Sequence, residues 1–254
     1  MLVLLLLLVQ FPAWGKNVRS EDVLALQKTA GKPFSTYQNA QRASAMDGAS
    51  HTPVNFEQGK DYQKLDLKII ENKTVQQFMA EDPKKVQVIE FFNYGCFGCG
   101  YLHPIIDRWV KEKSDAVVFY RFPLVFNKPW GTLAKAYYVI KALNANEKLD
   151  EAFFTAIHQQ RINLFDEKLL ESFFVEHGVS KKEFLDLYHS FTVERELMRA
   201  KELANAYQIS VSPVIIVNGP SGSYLLTPAM AGSWDKFIAV LNYLVSEQIE
   251  KLKG

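Results

Sequence analysis

Val86-Gln-Val-Ile-Glu-Phe-Phe92 is an apolar, β-branched and aromatic run of strand length that stops at Asn93-Tyr-Gly95. A run of this kind reads as a buried central strand. Cys96 to Val110 then carries a helical pattern, and Val117 to Phe122 is a second apolar strand run, ended by Pro123. A strand, a helix and a strand in succession require a crossover, which pairs the two strands in parallel. This unit constrains the fold more than any other stretch of the chain.

The rest of the pattern starts near Val54. Tyr62 to Ile69 holds an alternating segment, Leu65-Asp-Leu67-Lys-Ile69, which predicts an edge strand. Thr74 to Met79 predicts a short helix. From about Pro129 to Tyr207 the apolar residues fall at helical spacings, among them Ala134, Tyr137, Tyr138, Phe153, Phe154, Leu169, Phe173, Phe184 and Leu197. A strand returns at Val211-Ser-Pro-Val-Ile-Ile-Val217. Asn218-Gly219 signals a tight turn, and Tyr224-Leu-Leu226 reads as the antiparallel mate. Trp234 to Ile249 is a closing amphipathic helix. The order is β–α–β, a helical block, then β–β–α.

Ahead of this lie two other segments. Met1 to Val9 is apolar, too short to span a bilayer, and of the length of a secretory h-region. Ala13-Trp-Gly15 offers small residues for a signal peptidase, with cleavage before Lys16. No Lys or Arg precedes the apolar run, and a buried helix or an uncleaved anchor is the competing reading. Residues 16–53 are polar, with helix signals from Ser20 to Ala30 and from Gln38 to Met46. They read as an extension, a linker or a dimerisation arm. The thin stripe of Val23, Leu24 and Leu26 is too narrow for a core of its own, and pairing into a homodimer is one way to bury it. The formal net charge of +1, from 29 basic and 28 acidic residues, marks neither a nucleic-acid binder nor an acidic tail.

The chain has two cysteines, Cys96 and Cys99, three positions apart. A bridge between them closes a tiny loop of little stabilising value, so their significance is chemical. Cys96 stands where a strand meets a helix. The first N–H groups of a helix lack intrahelical partners and favour negative charge, so a thiolate there is stabilised. Cys99 lies one turn along, within reach of a disulfide. Such a pair can trade a disulfide with another protein through a mixed intermediate on Cys96. Two structural thiols or a zinc half-site are the competing readings. Zinc usually takes four ligands, and His51, His103, His158, His177 and His189 form no close pair at ligand spacing. No metal is expected, and no cofactor beyond a redox-active Cys96–Cys99 disulfide. An exported chain would meet the oxidising compartment in which such a pair has work to do.

Ile89-Glu-Phe-Phe-Asn-Tyr-Gly-Cys-Phe-Gly-Cys99, Pro104 and Val211-Ser-Pro213-Val-Ile-Ile-Val-Asn-Gly219 together resemble the DsbA family of thioredoxin-like oxidoreductases. The resemblance covers residues 54–254. It implies an α/β thioredoxin-like fold, residues 54–128 and 208–254, with an inserted helical domain at 129–207. It also implies that Cys96 is the exposed nucleophile, Cys99 the buried resolving thiol, and Pro213 a cis-proline beside the pair. Ser212 would touch substrate through its backbone, with Phe97 and Gly98 beside it, and Glu90 would be a buried acid relaying protons for Cys99. The partners implied are exported proteins with thiols or disulfides and a membrane redox partner of DsbB or DsbD type, in the periplasm.

The sequence departs from the family pattern in three places. Phe97-Gly98 replaces the usual Pro-His, and the missing His points to a milder oxidant. Ser212 is polar where the best-known members are apolar, and residues 16–53 have no counterpart in a minimal member. These departures tilt an oxidase towards a second reading, a dimeric isomerase or reductase. A chaperone-like binding module using Tyr94, Phe97 and Tyr101 is a third reading. A glutathione-transferase-like enzyme is a fourth, and the paired cysteines argue against it.

Overall fold

The protein is described here by a computed structural model covering residues 56–144 and 146–253; the leader and the extension 16–53 lie outside the described residues. The predicted central strand is β2 (Val86–Phe92), and all seven of its residues are buried. It is covered on both edges. β3 (Val117–Pro123) pairs with it in parallel, and β4 (Val214–Gly219) pairs antiparallel on the other side. β5 (Gly222–Leu226) follows β4, and β1 (Gln63–Lys64) ends the sheet, giving the order β1-β5-β4-β2-β3. A strand buried on both faces has no polar side to alternate, which is why β2 reads as a continuous apolar run.

The sheet is covered on both faces. Val86, Val88, Ile215 and Val217 pack with Leu102 and Ile106 of α3 (Phe97–Glu112) and with Phe237, Val240 and Leu241 of α10 (Trp234–Lys253). Ile89, Phe91, Val214 and Ile216 belong to the second cluster, which extends into the helical block. That block consists of α4 (Lys128–Ala142), α5 (Asn146–His158), α6 (Glu167–Glu176), α7 (Lys181–Tyr188) and α8 (Phe191–Ala206), between β3 and β4. Asn127, Asp166, Ser180 and Ser190 start four of these helices, each side chain accepting a backbone N–H of the first turn. Aromatic rings join strand to block: Phe92 meets Tyr94 and Tyr137, and Tyr94 meets Phe153 and Phe154.

Two local expectations fail. The alternating segment Leu65–Ile69 is an edge strand only in its neighbours Gln63 and Lys64; Leu67–Ile70 is a helical turn, α1. Leu65 and Ile69 are buried while Leu67 is 71% exposed. The two buried residues are four apart, a helical spacing that two-residue alternation also satisfies. The turn signal at Asn218-Gly219 is also misplaced. Both residues belong to β4, with Gly219 opposite Gly222, and the chain reverses at Pro220-Ser221. Asn218 is buried because its amide donates to Tyr207 and Gln87, which keeps it in the strand. The short helix predicted from Thr74 is α2 (Lys73–Met79), and α9 (Pro228–Ala231) precedes the closing helix.

Candidate active site

The turn that carries Cys96 is built by Asn93. This fully buried side chain donates to the carbonyls of Leu124 and Trp130 and accepts the N–H of Gly95, at 2.8, 3.2 and 2.9 Å. The β2 end is thereby tied to the segment after β3. The Cys96 N–H donates to the Asn93 carbonyl at 2.9 Å. Cys96 itself is the N-cap of α3, with extended φ and ψ of −84° and 118°. Its sulfur accepts the Cys99 N–H at 3.3 Å, as an N-cap oxygen would.

The two thiols are free and differ sharply. Cys96, implied to be exposed, keeps only 8% of its surface, and Cys99 keeps 1%. The Cys96 pKa is lowered to about 7, chiefly by a hydrogen bond from the Cys99 thiol; burial opposes this, and Ser212 and the N–H groups of Cys99 and Gly98 assist. Burial pushes the Cys99 thiol well up, and the neighbouring Cys96 adds to the rise. Charge therefore collects on the outer sulfur.

Ser212 and Pro213 close the other side. The Ser212 hydroxyl lies 3.2 Å from the Cys99 sulfur, a contact that the sequence reading, which gave Ser212 only a backbone role, did not foresee. The Ser212–Pro213 bond is cis. Gly98 faces the proline ring so closely that a Cβ there would stand 3.1 Å from Pro213 Cδ. Phe97 is 47% exposed, and its ring meets that of Tyr101 edge-on at 4.9 Å. Cys96, Cys99, Gly98, Ser212 and Pro213 thus form one constellation, with Phe97 on its rim.

Glu90 belongs to a different group. It is buried, and its carboxylate accepts from Arg121 Nε, its direct partner in the β2–β3 register. Burial raises the Glu90 pKa and Arg121 opposes that. A proton relay from Glu90 to Cys99 has no direct hydrogen bond to follow, because the carboxylate is held by Arg121. Arg121 also donates to Asp107 at 2.8 Å and stands 3.6 Å from Asp150 of α5. His103 of α3 lies 3.4 Å from Asp107 and 3.5 Å from Asp150. The ligand atoms of His103, Asp107 and Asp150 come within 4.8 Å of one another, as metal ligands would. The cation among them is the Arg121 guanidinium.

Sequence reasoning missed Arg121, Asp150 and His158. Arg121 had a signal: a lone charge inside an apolar strand, as odd there as Glu90 in its own. Asp150 receives the Tyr94 hydroxyl. His158 Nε2 lies 2.6 Å from the Tyr94 carbonyl. Nothing in the local sequence marks either of them as a partner of Tyr94.

A thioredoxin-like sheet, a helical block between its third and fourth strands, and a cysteine pair heading the helix after the central strand define a class of redox proteins. The family model described as the DSBA-like thioredoxin domain matches residues 100–235, starting directly after Cys99. The thiol:disulfide interchange protein DsbA of Burkholderia cepacia is 36% identical over 167 residues, 66% of this chain and 77% of that protein. The protein of the same name from Azotobacter vinelandii is 31% identical over 199 residues, 78% of this chain and 87% of its own. The crystal structure of Pseudomonas aeruginosa DsbA superposes with a TM-score of 0.68 at 27% identity, covering 78% of this chain and 97% of that one. The chain belongs to the DSBA-like thioredoxin domain family, and it is a thiol–disulfide oxidoreductase.

Proposed function

We propose that this protein forms disulfides in exported proteins, in the periplasm, through Cys96 and Cys99. The observation that carries the reading is the asymmetry of the two sulfurs, one held near neutrality in its acidity and the other driven up by burial. In the oxidised enzyme a client thiolate attacks Cys96 Sγ; the Cys96–Cys99 bond breaks and Cys99 leaves with the electron pair. A second client thiolate attacks the client sulfur of the mixed disulfide, and Cys96 leaves as a thiolate. Two electrons pass from client to enzyme; the client thiols give their protons to solvent, and Cys99, whose pKa is raised, takes one up. A low-pKa thiol leaves readily, and a thiolate stabilised in the reduced enzyme shifts the equilibrium towards oxidation of the client. Ser212, Pro213, Phe97 and Gly98 are the residues proposed to meet the client. The scheme uses no cofactor besides the cysteine pair. Return to the disulfide needs an external two-electron acceptor, for which a membrane partner of DsbB type is proposed.

The equilibrium of the pair with glutathione tests this reading. An oxidase takes electrons from glutathione and comes to rest mainly reduced. An equilibrium resting mainly on the oxidised enzyme turns the reading to a reductase or isomerase served by a DsbD-type partner. That second reading draws on Gly98, which has no side chain and leaves only its N–H to stabilise the Cys96 thiolate from within the dipeptide. It also draws on pairing through residues 16–53, proposed to bring two sites into one homodimer. The mass in solution of the chain from Lys16, beside a chain starting at Val54, checks that pairing: a dimer that truncation turns into an active monomer supports it, and a monomer from Lys16 ends it.

A further inference from the structure

The side chain of His158, at the end of α5, lies over the first turn of the active-site helix. A Cβ on Gly100 would stand 2.9 Å from His158 Cδ2 and 3.1 Å from Cγ, so the ring occupies the hollow that this glycine leaves. The edge of the ring meets Phe97 with centroids 6.2 Å apart, and Phe154 stacks behind it at 5.9 Å. Nε2 lies 2.6 Å from the Tyr94 carbonyl. A carbonyl oxygen only accepts, so Nε2 carries the proton and donates it. Tyr94 is then held at both ends by α5, since its hydroxyl donates to Asp150.

We propose that His158 is the positioning residue for Cys96: it clamps the Tyr94 carbonyl and packs on Gly100, fixing the turn that sets the Cys96 sulfur at the head of α3. The proposal rests on the reading of Cys96 as the attacking thiol. Three observations converge on it. Glycine inside a helix is less favourable than alanine, so Gly100 works against its own helix and in favour of the ring above it. Gly98 has no side chain, so the dipeptide braces the first turn through Phe97 alone, and Phe97 is itself in contact with His158. Cys96 owes part of its acidity to the N–H groups of Gly98 and Cys99, a geometry that survives only while that turn is held.

The test measures the rate of Cys96 alkylation against pH in the reduced protein, with the labelled cysteine located by fragmentation of the peptide that holds both. His158→Leu keeps much of the volume and loses the donor. Its labelling at pH 6 should slow about threefold, the loss of thiolate expected from half a pKa unit. His158→Gln places an amide donor near the Nε2 position and should restore the rate. Gly100→Ala, which displaces the ring without touching residue 158, should slow labelling as His158→Leu does. Combined with His158→Leu it should add nothing, because both changes break one contact. Equal rates in the wild type and His158→Leu, or equal slowing by the leucine and glutamine variants, overturn the proposal. If His158→Leu fails to fold, a Gly100→Ala protein that labels at the wild-type rate overturns it alone. Preferential labelling of Cys99 in the wild type removes the attacking-thiol reading and the proposal with it.

Discussion

The Ser212 hydroxyl sits 3.2 Å from the Cys99 sulfur and contributes a hydrogen bond that lowers the pKa of both thiols. Ser212→Ala should therefore make Cys96 less acidic. A hydrogen bond to a charged group is worth about 1.5 kcal/mol or more, so labelling at pH 6 should slow about tenfold. The pair should also become a weaker oxidant against glutathione. Ser212→Thr keeps the hydroxyl and should behave like the wild type. Equal behaviour of the alanine and threonine variants would remove the hydroxyl from the argument.

The same asymmetry of burial predicts which cysteine traps clients. Cys99→Ala leaves Cys96 able to accept a client sulfur but removes the thiol that resolves the adduct. Mixed disulfides with client proteins should accumulate on a non-reducing gel. Cys96→Ala leaves a thiol with 1% of its surface exposed and a raised pKa, and should trap almost nothing. Comparable trapping by both variants would contradict the assignment.

How much of this was legible beforehand depended on whether the signal was local. The central strand, the cysteine pair at a helix start and the helical block announce themselves by periodicity and by chain order. Leu65, Leu67 and Ile69 did not, because three apolar residues two apart fit a strand and a helical turn equally well over so short a span. The position of the hairpin turn escaped because Asn218 is claimed by Tyr207 and Gln87, residues from other elements. The clamp on Tyr94 escaped for a related reason. Its partners Asp150 and His158 lie 56 and 64 residues away, on a helix whose approach is decided by packing. Glu90 was legible as a buried acid, but its partner depended on the β2–β3 register, which sets it beside Arg121.

Gly98 offers a direct test of the missing histidine. An imidazolium beside a thiolate stabilises it, so Gly98→His should lower the Cys96 pKa below about 7 and strengthen the pair as an oxidant. The added Cβ would start 3.1 Å from Pro213 Cδ, a contact the ring must relieve by a small shift. Labelling across pH and the glutathione equilibrium should move together. A lower pKa without a more oxidising pair would break the link between thiolate stability and redox poise on which the proposed function stands.

The buried cluster behind the active site makes a prediction about pH and stability, best measured on the oxidised protein so that the thiols do not titrate. Burial lowers the His103 pKa from 6.5 to about 4, with Arg121 adding to the effect and Asp107 opposing it. Between those values the unfolded chain holds a proton there that the native protein lacks. Stability from this group is complete above pH 6.5 and is lost as the pH falls towards 4. Asp150 works the other way. Burial raises its pKa from 3.8 to about 6 against the pull of Arg121, so the native protein holds the extra proton and loses stability as the pH rises through that window. The two slopes oppose each other between about pH 4 and 6. Each approaches about 1.4 kcal/mol per pH unit at most, and in the wild type they offset each other. Asp150→Asn should expose the histidine slope, making stability climb with pH by roughly 1 kcal/mol per unit more than in the wild type. His103→Gln should expose the aspartate slope and tilt the curve the opposite way by a similar amount. The double variant should return to the wild-type profile. Urea unfolding at several pH values across this window decides it. Single variants whose curves run parallel to the wild type would show that His103 and Asp150 do not titrate as their burial and their contacts with Arg121 require.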